Sequence, residues 1–306
     1  MSLLDRPALL GGLIAFLCLI WGSTWFAIKV GLEDIPPFFA AGVRYVSAAA
    51  IIAGLALAQG VRAPRGRRVH LALLALGLGA FGVSFGVVYW GEQYVPAGLA
   101  AVLFSTHPLI VSLVAARMLP DEELSLRKLL GVATGFVGVA VLMLDDVSLS
   151  APRAPLAAAV VLVSPAVSAV ANVSIKRFGT ALHSYNLTAL PMFYGGSALL
   201  LLSALGEDWG SVEWTPRAAA SIAFLTTFGS TLAVVTYYTL LKRVSVSRLA
   251  LISYLFPVVA VVLDVLLAGE RFGARAWIGS ALVVCGVAVA GIRRRAAVAP
   301  VGGARA

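Results

Sequence analysis

Long apolar segments separated by short polar connections run along the whole chain. Most are close to 20 residues or longer, which is the length an α-helix needs to cross the hydrocarbon core of a membrane. The pattern therefore predicts an all-α polytopic membrane protein with ten transmembrane helices and no soluble domain between them. The predicted helices lie at residues 8–30, 37–60, 69–90, 96–118, 126–145, 155–176, 184–205, 216–240, 246–268 and 274–292.

Two stretches of the sequence repeat each other. Residues 95–144 align with residues 244–292, so that Pro108 falls on Pro257 and, after a gap of one residue, two GVAV tetrapeptides coincide. Each stretch consists mostly of two apolar segments. The repeat indicates an internal duplication within the membrane, which is typical of secondary transporters.

The duplication predicts two five-helix repeats, at residues 1–150 and 151–306. Because five is an odd number, the second repeat must enter the membrane in the opposite orientation to the first, which gives an inverted repeat. Ile28-Lys29 at the end of the first helix matches Ile175-Lys176 at the end of the sixth, which supports this register. Substrate sites of such transporters lie near the middle of the membrane, between the repeats.

The composition excludes an ordinary soluble domain. Hydrophobic residues make up 60% of the chain and charged residues 12%, with a mean hydropathy of +0.97, whereas soluble domains are about 45–50% apolar and about 25% charged. If the N-terminus is inside, 17 of the 23 lysines and arginines fall on the inner side, as the positive-inside rule requires. The net charge of +9 therefore reflects orientation rather than a nucleic-acid partner. We expect a multi-pass protein of the bacterial inner (cytoplasmic) membrane with both termini in the cytoplasm.

Motifs for catalysis or metal binding are absent from the sequence. Cys18 and Cys285 lie singly inside apolar segments, and the three histidines form no HExxH motif. A membrane enzyme acting on lipid head groups would need a cluster of His, Asp or Glu at one membrane face, and the sequence has none in plausible proximity. We therefore predict no catalytic residues, no metal ligands, no cofactor and no enzymatic activity.

Two cations, Lys29 and Arg44, lie inside apolar segments. A cation near the middle of the bilayer costs about 2.5–3.5 kcal/mol or more, so such residues usually face a cavity or a partner. One interpretation is that they attract a substrate carboxylate. The other is that Lys29 reaches the outer head groups and that Arg44 binds carbonyl groups at a helix end.

Prolines lie at matching places in the two repeats. His107-Pro108 is midway along the predicted fourth helix, and Phe256-Pro257 is at the corresponding place in the ninth. Proline removes a backbone hydrogen bond, and helix breaks at corresponding places in two halves point to a transporter binding site; a static kink is the alternative. The ring of His107 could bind a substrate carboxylate or a neighbouring backbone carbonyl.

Aromatic and polar side chains complete the candidate cavity. Trp21, Trp25 and Tyr254 lie deep in their segments, while Asn172 and Ser253 could bind substrate or join helices. Other aromatic residues lie near helix ends, where interfacial belts also place them: Tyr89, Trp90, Tyr237 and Tyr238. The candidate substrate-binding and cavity residues are Trp21, Trp25, Lys29, Arg44, Tyr89, His107, Pro108, Asn172, Ser253, Tyr254 and Pro257.

Acidic residues bear on coupling to protons. Asp264 is the only acid inside a predicted helix away from the helix margins. It is either a proton site or a charge paired with Arg271 or Arg275. Without a proton site the protein would be a facilitator driven by the substrate gradient alone.

Two stretches of the sequence contain characteristic residues in a particular order. Residues 20–52 read IWGSTWFAIKVGLEDIPPFFAAGVRYVSAAAII, and residues 94–142 include Pro108, Glu122 and Gly131. The first stretch resembles the opening of the EamA-type members of the drug/metabolite transporter superfamily, and the second resembles the fourth and fifth helices of that family. The resemblance covers nearly the whole chain and extends to the YddG-type exporters of aromatic amino acids. It implies ten helices, a central cavity and alternating access.

The predicted function is therefore export of amino acids, aromatic ones favoured, or of similar small metabolites. Nucleotide sugars and phosphorylated sugars are the rival substrates, but they usually need several basic residues deep in the cavity, and few are present. A channel, a structural assembly protein and a membrane-embedded enzyme are the other classes. The expected partners are a small-molecule substrate and membrane lipid, with a monomer as the working oligomeric state.

Overall fold

Helices are the regular structure of the computed structural model, which describes residues 7–95, 97–120, 122–142, 152–263 and 274–291. The α-helices are α1 (Pro7–Gly31), α2 (Pro37–Ala58), α3 (Arg67–Gly77), α4 (Ser84–Gly91), α5 (Ala97–Phe104), α6 (His107–Met118), α7 (Leu126–Leu142), α8 (Ala154–Val161), α9 (Val163–Phe178), α10 (Ser184–Gly206), α11 (Pro216–Phe224), α12 (Ala233–Leu241), α13 (Val246–Ala250), α14 (Leu255–Leu263) and α15 (Ala274–Gly291). No strand occurs in these ranges.

Six helical segments of the described chain are long and apolar enough to cross a membrane. They are Ala8–Gly31, Pro37–Ala58, Arg67–Gly91, Ala154–Phe178, Ser184–Gly206 and Pro216–Leu241. Two shorter apolar helices, His107–Met118 and Val246–Val259, lie between longer ones along the chain. The protein is thus a polytopic helical membrane protein, and the arrangement of ten helices in two inverted repeats stays a prediction.

Prolines and side-chain caps set where the helices begin. Pro37 opens α2, where its missing N–H costs nothing because the first turn has no internal acceptor. The carboxylate of Glu207 accepts the N–H groups of Phe38 and Phe39 at 2.8 and 2.9 Å, which caps α2 from the far end of α10. The Thr215 hydroxyl caps α11 by accepting the N–H of Ala218 in the first turn of that helix.

Two helical segments widen to π-helical hydrogen bonding in their middle. The first segment is Leu78–Val83, between α3 and α4, and the second is Leu225–Leu232, between α11 and α12. These are the third apolar helices of the two predicted repeats. Short π-helical segments inside α-helices are frequent at functional sites.

Two other segments are interrupted. The turn at Ser105–Thr106 separates α5 from α6, and a 3-10 turn at Leu251–Tyr254 separates α13 from α14. The two interruptions touch, because the Ser105 hydroxyl lies 2.9 Å from the Ala101 carbonyl oxygen and 3.3 Å from that of Ser253. Pro108 and Pro257 lie in the first turns of α6 and α14. The predicted breaks are thus present, with both prolines at helix starts instead of helix interiors.

The most extensive helix contacts join α7 to α15 and α2 to α10. Glycine permits the first contact: a Cβ added at Gly286 would lie 2.4 Å from the backbone nitrogen of Gly135 and 2.6 Å from the carbonyl oxygen of Gly131. Atoms cannot approach so closely, so any larger residue would separate the helices. Small residues allow such approach in membrane helices generally.

Candidate functional site

A cavity lies among the helices, beside the interrupted segments. It contains about 800 Å³ of space between atoms, the open volume at its mouth included. Both predicted repeats contribute side chains, and the two π-helical segments border it through Phe81 and Gly229. The lining residues are Trp21, Thr24, Trp25, Arg44, Tyr45, Ala80, Phe81, Phe85, Phe104, His107, Ser168, Asn172, Gly229, Val234, Tyr237, Tyr238, Leu249, Ala250, Ile252, Ser253 and Phe256.

Aromatic rings form much of the cavity wall. Trp21 packs on Tyr237 with ring centroids 5.2 Å apart and meets Phe256 edge-on at 6.2 Å. Trp25 packs on Phe104 at 5.6 Å. The Trp21 indole N–H is bonded to the Gly229 carbonyl oxygen at 3.0 Å, which fixes the ring at the junction of α1 with the second π-helical segment. These rings can enclose an apolar or aromatic group.

Arg44 is the charged residue of this wall, and only 2% of its surface is exposed. Its Nε donates to the Ser230 hydroxyl at 2.8 Å and its Nη1 to the Tyr89 hydroxyl at 3.1 Å. The guanidinium also lies 4.9 Å from the ring centre of Tyr45 and 5.5 Å from that of Phe85. No carboxylate lies within 4 Å of it in the described ranges. Neutral hydroxyls and ring faces are therefore the direct contacts of this cation.

Two residues of the cavity wall, Tyr45 and Tyr237, each have a hydroxyl group without a hydrogen-bond partner among the described residues. Both side chains are almost completely buried. A buried hydroxyl without a partner costs about 1–3 kcal/mol, so such groups call for an explanation. A ligand that bonds them from inside the cavity would remove the cost.

His107 is held from both sides of its ring. Its Nε2 lies 3.3 Å from the Asn172 amide nitrogen and its Nδ1 lies 3.3 Å from the Ser253 hydroxyl. The ring stacks on Phe104 at 5.2 Å. If the Asn172 amide donates to Nε2, the proton of a neutral imidazole is on Nδ1 and points to Ser253. The histidine thus connects α6, α9 and the 3-10 turn at one edge of the cavity.

The structure brings six of the predicted site residues together around this cavity and leaves five outside its wall. The six are Trp21, Trp25, Arg44, His107, Asn172 and Ser253. Pro108 and Pro257 act on the backbone behind the wall. Tyr254 turns away, because its hydroxyl donates to the Val132 carbonyl oxygen at 2.9 Å. Lys29 donates to the carbonyl oxygen of Glu92 at 2.6 Å, and Tyr89 lies behind Arg44.

Some features of the site were missed or misread in the sequence. Tyr89, Tyr237 and Tyr238 do not form part of an exposed interfacial belt, because at most 4% of each residue's surface is exposed. Tyr45 was missed although it adjoins Arg44, and Glu92 was missed because it follows directly after an apolar segment. Asp264, the predicted proton site, lies outside the described residues.

An ion-pair network joins the two predicted repeats at the end of the bundle where α1 stops. Arg217 donates to both carboxylate oxygens of Asp34 at 2.7 Å and pairs with Glu33 at 2.6 Å. The Thr215 hydroxyl adds a bond to Asp34 at 2.5 Å. The hydrogen bonds from Arg217 and, to a smaller extent, from Thr215 lower the pKa of the Asp34 carboxyl group to about 2. This connection is therefore charged at all physiological pH values.

The part of the chain that the structure describes contains no group of three His, Cys, Asp or Glu residues arranged to hold a metal ion. The cavity is instead a binding surface with one cation, several rings and a few neutral polar groups. Such a composition can bind and orient a small amphipathic molecule.

Comparison with known proteins identifies a membrane transporter family. The model of the EamA-like transporter family matches residues 9–144 and matches again at residues 155–292. An uncharacterised inner membrane transporter, YedA of Escherichia coli, is 31% identical over 91% of this chain and 89% of its own length. An uncharacterised transporter of Bacillus subtilis, YoaV, is 26% identical over 88% and 92% of the two chains.

Two further proteins are similar to this chain. Protein PagO of Salmonella typhimurium is 25% identical over 82% of this chain and 83% of its own. A crystal structure that is 22% identical superposes with a TM-score of 0.77 over 91% of this chain and 94% of the other. At that identity the likeness concerns the fold alone.

Proposed function

Because the chain belongs to the EamA-like transporter family, we propose that it is a secondary transporter that exports amino acids, aromatic ones preferred, across the bacterial inner membrane. The observation that carries the substrate class is Arg44, a buried guanidinium in an aromatic cavity with no carboxylate within 4 Å in the described ranges. Arginine binds carboxylates with strong, directional hydrogen bonds. A substrate with one carboxylate and an apolar side chain suits this cavity.

The binding mode follows from the positions of the polar groups. The substrate carboxylate accepts hydrogen bonds from Arg44, and the unpaired hydroxyls of Tyr45 and Tyr237 bond the polar end of the molecule. Its side chain packs among Trp21, Trp25 and neighbouring rings. Ring faces and hydroxyl oxygens also accommodate the ammonium group of an amino acid.

Alternating access of two inverted five-helix repeats is the proposed mechanism. The double match of the family model supports the two repeats, as does the presence of a π-helical segment in the third helix of each. A contact pair agrees: Lys29 donates to the Glu92 carbonyl oxygen, and Lys176 donates to the Leu241 carbonyl oxygen, each at 2.6 Å. Rocking of the repeats would expose the cavity to either side in turn.

A nucleotide sugar is the weaker candidate. Its phosphates would need several cations, and Arg44 is the one lysine or arginine in the cavity wall as described. A transporter with both termini in the cytoplasm, as the positive-inside rule predicts, agrees with either substrate.

Uptake into liposomes tests the proposal. Purified protein is offered labelled phenylalanine, tryptophan, threonine or a nucleotide sugar, with and without a pH gradient. We expect saturable uptake of the aromatic amino acids and at least a tenfold loss in Arg44→Gln, because losing one charge-assisted hydrogen bond costs about 1.5–3 kcal/mol. Arg65→Gln, which removes an exposed cation between α2 and α3, is the matched control.

His107→Ala tests the edge of the cavity where the interrupted helices meet. We expect reduced affinity, since the ring orders Asn172 and Ser253 beside the bound molecule. Exchange of the nucleotide sugar without any amino-acid flux would refute the substrate assignment. Equal uptake by Arg44→Gln and Arg65→Gln would refute the role of Arg44.

A further inference from the structure

The structure buries a carboxyl group that the transport mechanism above does not use. Glu92 follows the last residue of α4, and none of its surface is exposed. Both of its carboxylate oxygens lack a hydrogen-bond partner among the described residues. Its backbone is firmly held, because its N–H donates to the Val88 carbonyl oxygen at 2.9 Å and its carbonyl oxygen accepts from Lys29.

Two cations lie close enough to this carboxyl group to interact with it electrostatically. Lys29 of α1 and Arg44 of α2 both attract it, and Tyr89, three residues earlier on its own helix, is the titratable neighbour. Lys29 places its ammonium on the backbone carbonyl of Glu92 and not on the side chain.

The segment before α8 carries a further cation at the same end, Arg153, which is occupied elsewhere. Its guanidinium donates to the Tyr94 hydroxyl at 3.2 Å and lies 5.6 Å from the centre of that ring. Arg153 is exposed, so water screens its charge. Lys29 and Arg44 therefore dominate the field at Glu92.

Opposing effects decide the charge of Glu92. Burial without hydrogen bonds favours the neutral carboxylic acid, while nearby cations favour the carboxylate. Burial is the larger effect, so the pKa of the Glu92 carboxyl group lies well above its ordinary value even beside both cations, and neutralising one of them raises it further. A substrate carboxylate bound to Arg44 would neutralise the charge of that guanidinium. Arg44 is placed for this, because it lines the cavity and is also bonded to Tyr89.

We propose that Glu92 is a proton-binding site linked to substrate: it takes up a proton when a carboxylate binds Arg44 and releases it when the substrate leaves. The net charge of the buried cluster stays the same, because the substrate carboxylate enters it while the Glu92 carboxylate is neutralised by the proton. The inference rests on the proposed function in one respect, the assignment of Arg44 as the carboxylate site.

This linkage determines the direction in which protons move during the transport cycle. Linkage is reciprocal, so protonation of Glu92 strengthens carboxylate binding by the same factor by which the carboxylate strengthens protonation. Substrate and proton then cross the membrane together. Export down a steep outward substrate gradient would carry protons outward with it.

Calorimetry on the purified wild-type protein tests the linkage. Binding of phenylalanine is measured at one pH in two buffers with different heats of ionisation, which gives the number of protons taken up per molecule bound. We expect a clear net uptake, and an affinity that falls by about tenfold between pH 5.5 and 8.5, within the range of couplings typical of linked sites. Phenylalanine binding without proton uptake would overturn the inference while leaving the proposed function intact.

A pair of variants assigns the proton to Glu92. Glu92→Gln mimics the neutral side chain, so we expect binding without proton uptake and an affinity that no longer depends on pH. The exposed Glu123→Gln, in the connection before α7, is the control and keeps the wild-type response. Unchanged proton uptake in Glu92→Gln would overturn the inference.

Infrared spectroscopy covers the case in which Glu92→Gln does not fold. Addition of carboxyl-labelled phenylalanine to the wild type should produce the C=O stretch of a newly protonated carboxyl group, distinct from the band of the ligand. Its absence would overturn the inference. If phenylalanine does not bind the wild type at all, the proposed function fails first, and the inference fails with it.

Discussion

At the scale of single residues, two buried tyrosines differ in what their hydroxyl groups bond. The Tyr254 hydroxyl donates to the Val132 carbonyl oxygen, whereas the Tyr237 hydroxyl has no partner among the described residues and lies in the cavity wall. The same chemical group therefore makes a structural bond in one place and has no partner among the described residues in the other.

Phenylalanine substitutions distinguish the two roles. Tyr254→Phe loses a buried hydrogen bond, which is worth about 0.5–1.5 kcal/mol of stability, and we expect a lower melting temperature with an unchanged KM for substrate. Tyr237→Phe removes a hydroxyl without a partner, so we expect no loss of stability but a higher KM. Thermal unfolding in detergent and liposome uptake measure the two quantities. The reverse assignment of effects would contradict this division.

A third residue, Asp34, gives a prediction for pH. Its pKa of about 2 lies below the value of about 3.9 expected for an unfolded chain, so its contribution to stability is complete above about pH 4 and is lost as the pH falls through 2. We expect the melting temperature in detergent to drop across this window, and to drop less in Asp34→Asn, which is less stable throughout. Asp208→Asn, a change in an exposed turn, should leave the transition in place.

At the scale of the helices, glycine contacts set how closely elements pack. Gly286→Ala would place a Cβ 2.4 Å from the backbone of Gly135, so α7 and α15 must separate. We expect a marked loss of thermal stability, of a few kcal/mol, as for other overpacked interiors. Gly54→Ala, where a Cβ meets nothing within 4 Å, is the control and should be neutral or slightly stabilising because alanine favours helix. Equal stability of the two variants would contradict the packing argument.

The sequence predicted helices far better than it predicted which way their side chains face. Apolar length is sufficient to locate a span, so six predicted helices recur as long apolar helices in the structure. The paired prolines likewise predicted interruptions in two others. The direction of a side chain depends on the rotation of each helix, and α1, α2 and α12 are apolar on all sides, so periodicity could not reveal that Tyr45 or Tyr237 lines the cavity.

Glu92 shows the same limit in another form. Its position directly after α4 suggests an exposed margin of the membrane, and the sequence contains no sign that neighbouring segments cover it. Only the folded arrangement buries its side chain and brings it into the field of Lys29 and Arg44. Lys29 similarly has a backbone partner that neither of its two sequence interpretations included.

At the scale of the whole molecule, polar contacts join the two predicted repeats at the end where α1 stops. Arg217 of α11 holds Glu33 and Asp34 there, and the Ser221 hydroxyl adds a bond to the Ala27 carbonyl oxygen at 2.6 Å. If the repeats rock against each other, this connection must open when the cavity faces that side.

Cysteine labelling tests that expectation. In a background with Cys18→Ser and Cys285→Ser, a single Thr24→Cys reports access to the cavity. Adding Arg217→Gln removes the ion pairs, and we expect a several-fold faster reaction with a membrane-impermeant thiol reagent applied from that side. Arg65→Gln, far along the chain from this network, should not change the rate. Equal rates in all three proteins would show that the ion pairs do not hold this end closed.

The two π-helical segments have a consequence for how insertions and deletions act on this protein. A π-helical turn contains one surplus residue relative to the α-helical turn that it replaces. Deleting one residue from Leu225–Leu232 would convert the segment into a continuous α-helix whose flanking parts keep their faces, because the wide turn already absorbs the surplus residue. Deleting one residue from α12 ahead of Tyr237, by contrast, would shorten the span by only about 1.5 Å and rotate all that follows by about 100°. Tyr237 and Tyr238 would then point away from the cavity, so a span of almost unchanged length would present a different face to the substrate.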